Sequence, residues 1–207
     1  MPASAHANIM PTLNRHGWLA RQAGVALVPS PNVDARPAGT SVSLLVIHNI
    51  SLPAGQFGGP AIERLFTNRL DTRGHPDFAG LAGLRVSAHF LIRRDGAVLQ
   101  FASTEARAWH AGVSRFRRRE RCNDFSIGIE LEGTDHIAYT DAQYRRLAGL
   151  TRVLRQRYPL VAVCGHQHIA PGRKTDPGEA FDWPRYAREA SWLRRQAGHQ
   201  ANVFPMV

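Results

Sequence analysis

Only two cysteines, Cys122 and Cys164, occur in 207 residues. One pair closes at most one bridge, and a chain of this length does not need stapling, so both are expected to be reduced. No apolar run approaches the roughly 18 residues that a membrane span requires. The first ten residues show no basic segment leading into an apolar one, so the expected compartment is the cytoplasm and no membrane partner is expected. Aromatic residues make up only 8% of the chain. Neither an aromatic RNA-binding signature nor a helix-turn-helix pattern is present, which argues against nucleic acid as a partner. Acidic residues are scarce as well, 16 against 26 Lys and Arg, for a formal charge of +10. That surplus asks for an anionic ligand. Its one dense cluster, Arg115–Arg121, reads as a solvated basic loop facing such a ligand.

What remains is an ordinary globular composition, 43% hydrophobic, and a length that suits one well-buried core. A single domain over residues 13–197 is expected, with residues 1–12 and 198–207 loose and no obligate protein partner. The Pro-rich stretch Pro29 to Pro37 must be extended or turning, because each proline fixes φ and restricts its predecessor. It reads as an N-terminal arm. Ser43–His48 is a short apolar run suited to a strand buried on both faces. Arg85–Arg93 and Ala97–Phe101 flank Asp95-Gly96, which predicts a hairpin with a type I′ turn. Phe125–Glu132 and Val161–Cys164 supply two more strands.

Thr140-Asp141-Ala142-Gln143 is a capping box, and Tyr144, Leu147, Ala148, Thr151, Leu154 and Tyr158 follow at helical spacing. A second helix is expected from Asp182 as N-cap, with Pro184 in its first turn and Tyr186, Ala190 and Leu193 on one stripe. A short helical segment is expected near Ala61–Phe66, inside a long loop of the kind that serves a site. Helices on an open mixed sheet give an α/β architecture.

The run Gly165-His166-Gln167-His168-Ile169-Ala170-Pro171-Gly172-Arg173-Lys174-Thr175-Asp176-Pro177-Gly178 reads as a structureless loop holding half of a metal site. His48, at the end of a strand, supplies the other half. Catalytic zinc takes three ligands from His, Asp or Glu and leaves one position for water. His166 is favoured over His168 as the loop ligand because it directly follows the strand-ending glycine. The spacing alone is weak evidence for a metal: the simpler reading of the loop is a polar segment with an Asp-Pro turn, and of Glu130 and Glu132 strand carboxylates facing solvent.

Five strings occur in order: Val46-Ile47-His48-Asn49-Ile50-Ser51; Arg85-Val86-Ser87-Ala88-His89; Arg107-Ala108-Trp109-His110-Ala111-Gly112; Arg121 through Gly133; and Gly165-His166 through Gly178. Over roughly residues 16–190 the chain resembles the AmpD-type 1,6-anhydro-N-acetylmuramyl-L-alanine amidases. These lie within the superfamily of T7-lysozyme-like amidases and peptidoglycan recognition proteins. The resemblance implies that fold, a central mixed sheet flanked by helices, and one Zn2+ per chain held by His48, His166 and Asp176. It makes Glu130 the group that activates the attacking water and Lys174 the cation beside the oxyanion. Arg85 and Arg121 match positions facing the acidic stem peptide, and Asn49 is a donor to sugar or peptide. Trp109 is a support for a sugar ring. His89 and His110 are wall residues, His89 counted among the substrate contacts, and His75 is exposed. The implied reaction is hydrolysis of the bond between (1,6-anhydro-)N-acetylmuramic acid and L-alanine in small muropeptides during wall recycling, which also influences β-lactamase induction. A metal-free recognition module of the same fold is the rival reading.

Overall fold

A strand Ser126–Glu132 explains the layering of the molecule, which was determined as a computed structural model and describes residues 12–191. Its odd positions Ile127, Ile129 and Leu131 join one apolar cluster, while Ser126, Gly128, Glu130 and Glu132 turn to the other face. All seven residues are buried, so the second face is covered too.

In chain order the strands are β1 Val25–Leu27, β2 Val33–Asp34, β3 Leu44–Ile50, β4 Phe90–Ile92, β5 Val98–Gln100, β6 Arg107–Ala108, β7 Arg115–Phe116, β8 Arg119–Glu120, β9 Ser126–Glu132 and β10 Ala162–Gly165. The helices are α1 Ala61–Phe66, α2 Asp141–Arg157, α3 His166–Ile169 and α4 Trp183–Glu189. The main sheet runs β1-β5-β4-β9-β3-β10 and is mixed: β4 and β5 are antiparallel, and the other pairs are parallel. The pairs β2–β6 and β7–β8 are small antiparallel ribbons.

One face of the sheet packs Leu45, Ile47, Ile127, Ile129 and Val163 under Leu147, Leu150 and Leu154 of α2 and Tyr186 of α4. Each fully buried Leu or Ile contributes about 1.5–3 kcal/mol relative to exposure, so this face anchors the sheet. The capping box of α2 forms as expected, with Thr140 Oγ1 accepting from Gln143 N at 3.1 Å and Gln143 Oε1 accepting from Thr140 N at 3.1 Å. Asp182 caps α4 through the Arg185 N–H at 2.8 Å. Leu193 lies outside the described residues, as do the expected loose ends apart from Thr12. Both cysteines are buried and free.

Four expectations change. The β4–β5 turn is not type I′, because Arg93 N donates to Ala97 O (2.8 Å), Gly96 N donates to Arg93 O (2.9 Å), and of Asp95 and Gly96 only Gly96 is left-handed, at φ +86°. That is a type I turn with a glycine bulge, held by Asp95 Oδ1 accepting from Ala97 N at 2.9 Å. The expected long strand before it is regular only at Phe90–Ile92. The Pro-rich arm is flanked and interrupted by strands: β1 pairs with β5, and Val33–Asp34 with Arg107–Ala108. Finally, the run after Gly165 is not structureless, since His166–Ile169 forms one helical turn.

Candidate metal centre

Strand register builds the first half of the site. His48 lies directly across from Glu130 on adjacent parallel strands, and Gly165 pairs with Ile47. So β3, β9 and β10 deliver their carboxyl ends side by side, the edge of a parallel sheet where ligands ordinarily bind. Helix α3 then starts with His166 beside His48. The loop returns Asp176 to the same point, tied down by Gln167 N donating to Asp176 O at 3.0 Å.

The three donors form a nearly equilateral triangle. His48 Nδ1 is 3.0 Å from His166 Nδ1 and 3.0 Å from Asp176 Oδ2, and His166 Nδ1 is 3.1 Å from Asp176 Oδ2. His48 and His166 are 1% and 4% exposed, and the Asp176 side chain is 14% exposed. Burial pushes His48 down to about 4, so the ring is neutral at pH 7 and offers a lone pair. His166 Nε2 lies 3.1 Å from the Ala111 carbonyl oxygen. That oxygen only accepts, so Nε2 carries the proton and Nδ1 turns a bare lone pair inward. Electron-rich donors about 3 Å apart repel one another unless a cation sits among them. Tetrahedral ligands at about 2.0–2.1 Å from zinc would be about 3.3 Å apart, close to what is found.

His168, the other candidate in the loop, points elsewhere. Its Nδ1 accepts from Gly165 N at 2.8 Å, and its ring meets Trp183 edge-on at 5.7 Å. Among the described residues the one cluster able to hold an ion is His48, His166 and Asp176.

Glu130 is 8% exposed and its Oε2 has no hydrogen-bond partner. Burial, and then the neighbouring Asp176 charge, raise its carboxyl well above the ordinary range, against the pull of Lys174. A buried carboxylate oxygen left open beside three metal donors is a group set to take a proton. Lys174 is exposed on the loop above it. Glu132, expected at the surface, is 1% exposed. It shares the Glu130 face of β9 and accepts from Arg93 Nη1 (2.7 Å), Gly58 N (2.7 Å) and Arg94 N (3.2 Å), anchoring the long loop after β3.

A model of the N-acetylmuramoyl-L-alanine amidase family matches residues 38–179. The chain belongs to this family. A 1,6-anhydro-N-acetylmuramyl-L-alanine amidase AmpD of Citrobacter freundii is 61% identical over 172 residues, 82% of this chain and 90% of the relative. The crystal structure of a selenomethionine AmpD derivative superposes with a TM-score of 0.81 at 58% identity, covering 86% of this chain and 98% of that one. The Escherichia coli amidase AmiD was solved in complex with anhydro-N-acetylmuramic acid-L-Ala-D-γ-Glu-L-Lys. It is 26% identical with a TM-score of 0.52, covering 86% of this chain and 65% of its own.

Two clefts of this amidase meet at the return loop. One, about 570 Å³, is lined by Asn49, Ser51, Thr134, Asp135, Lys174 and Asp176. The other, about 560 Å³, is lined by Arg115, Arg121, Arg173, Ser114, Ile169 and Pro171. Asn49 therefore sits in a cleft, but its Nδ2 is spent on Asp135 Oδ1 at 2.7 Å. Arg121 is exposed and loosely paired with Asp124 at 3.3 Å. Arg85 is exposed and Trp109 half-buried, and neither lines these two clefts. The Trp109 indole N–H is buried without a partner.

His89, counted among the expected substrate contacts, lies inside the protein. It is fully buried, its Nδ1 accepts from Gly128 N (3.1 Å), and its Nε2 lies 3.1 Å from Ala106 O, so both nitrogens are used by the protein. His75 is half-exposed and caps a 3₁₀ turn through Asp77 N. The sequence reading missed Asp135 and Arg173. Arg173 lines both clefts and donates to Ala111 O (2.9 Å) and Val113 O (2.6 Å). Nothing local distinguishes it from other loop arginines, so only the three-dimensional convergence reveals it.

Proposed function

We propose that this amidase uses one zinc ion per chain, held by His48, His166 and Asp176, to hydrolyse the bond between 1,6-anhydro-N-acetylmuramic acid and L-alanine in soluble muropeptides of the cytoplasm. The observation that carries this reading is the triangle of bare donors beside the open Glu130 oxygen. Zinc bound there supplies a Lewis acid and hydroxide at neutral pH. Glu130 takes the proton of the attacking water and hands it to the departing alanine nitrogen. The water oxygen adds to the lactyl carbonyl carbon and the C–N bond breaks. A muramic carboxylate and a free α-amine result. Lys174 places an ammonium where negative charge grows on the carbonyl oxygen. Arg121, with Arg85, offers guanidinium to the stem-peptide carboxylates, Trp109 supports the sugar ring, and Asn49, once released from Asp135, donates to sugar or peptide.

The test is turnover of a purified anhydro-muramyl tripeptide by protein of known zinc content, alongside intact sacculi. Stoichiometric zinc and release of free tripeptide from the soluble substrate, far faster than from sacculi, are expected. Tight binding of the tripeptide by protein that takes up no zinc, with no hydrolysis, would instead identify a recognition module. Arg121→Ala should raise KM by about tenfold, the worth of one charged hydrogen bond, with kcat little changed.

A further inference from the structure

We infer that the dipeptide His110-Ala111 fixes the tautomers of both histidine ligands, with Ser126 setting the sense of the chain, and so keeps the site ready for its cation. This rests on the zinc reading above.

The proton order follows from one end. Ser126 Oγ is 2.6 Å from the Cys122 carbonyl oxygen, which can only accept, so the single hydroxyl proton goes there. The same Oγ is 3.2 Å from His110 Nε2, and that nitrogen must supply the proton between them. His110 is 8% exposed, with the rings of His48 and His89 at 5.1 and 5.7 Å, and none of its hydrogen bonds is to a carboxylate. A neutral ring with its proton on Nε2 leaves Nδ1 bare. His110 Nδ1 is 3.0 Å from His48 Nε2, which therefore carries a proton, and the His48 Nδ1 lone pair is left facing His166 and Asp176.

The next residue does the same for the second ligand, because the Ala111 carbonyl accepts from His166 Nε2. The dipeptide itself is pinned: Asn123 Oδ1 accepts from both His110 N (3.1 Å) and Ala111 N (2.8 Å). The sheet makes room for it. A Cβ at Gly128 would lie 2.4 Å from His110 Cγ, so only glycine lets the ring rest on β9. Without this chain, His48 would be free to place a proton on Nδ1 and donate it to Asp176, satisfying the carboxylate and closing the site to a cation.

His110 is a positioning residue, and its effect is read by zinc affinity and by the ¹⁵N shifts of labelled histidine. Chelator competition on His110→Ala should show affinity reduced about 10–100-fold, with His48 no longer held in its Nε2–H form. His110→Asn, whose carbonyl oxygen can stand in for Nδ1, should restore most of both. Ser126→Ala should lie between and decides the matter if His110→Ala does not fold. Wild-type affinity and an unchanged His48 pattern in Ser126→Ala and in folded His110→Ala would overturn the inference. A wild-type protein that binds no zinc would overturn the metal reading and this one with it.

Discussion

Replacing His166 by alanine is expected to remove zinc and turnover together, whereas replacing His168, two residues on, leaves both. His166 offers a bare Nδ1 to the donor triangle, and His48 and Asp176 are its equals, so His48→Ala and Asp176→Ala behave alike. Structural zinc sites bind with roughly 10–16 kcal/mol over four ligands, about 3 kcal/mol each. Loss of one donor should therefore weaken binding on the order of 10²-fold or more, read by metal analysis after dialysis. His168 spends its Nδ1 on the Gly165 N–H. His168→Ala should cost about 1 kcal/mol of stability, as loss of a helix cap does, and no metal. Zinc retained by His166→Ala and lost from His168→Ala would reverse the assignment.

Glu130→Gln should keep zinc, lose kcat by on the order of 10²-fold or more, and make the metal-free protein more stable. The kinetic loss follows because a carboxamide cannot take the proton. The gain in stability follows from the raised pKa. The folded chain holds this proton more tightly than the unfolded chain, so above the folded pKa the buried charge is a cost borne by the native state alone. Glutamine removes that cost at neutral pH, and the difference should vanish as pH falls below about 4, where the unfolded carboxyl is protonated too. Each kcal/mol relieved raises Tm by about 2–4 °C in a chain of this size. Lys174→Ala should lose kcat similarly without the stability gain, since it is exposed. Near-normal turnover in either variant would contradict that residue's role.

Much of this was legible along the chain, for local reasons. Helix α2 announces itself through Thr140 and Gln143 and through Tyr144, Leu147 and Leu154, because cap and stripe lie within seventeen residues. The ligand set was reached through the family resemblance, and the preference for His166 over His168 through its place after Gly165. What stayed hidden depends on distant partners. The four-residue helix α3 is too short to show a period. The β4–β5 turn depends on whether Asp95 adopts positive φ, which a dipeptide motif does not settle. Glu132 looks like a surface residue until Arg93 and the Gly58 amide close on it. The His110–Ser126 chain joins a loop to a strand sixteen positions on.

Strand β10 ends the six-stranded sheet, its four residues paired with Leu44–Ile47 of β3. Two of the three donors follow it, on α3 and the return loop, while the third belongs to β3. An ion shared between them would be a clasp on the sheet's last strand as well as a reagent. Metal removal should therefore speed amide hydrogen exchange across residues 162–178 and leave the core of α2 nearly as protected as before. Local opening of this margin and loss of the ion are two descriptions of one event.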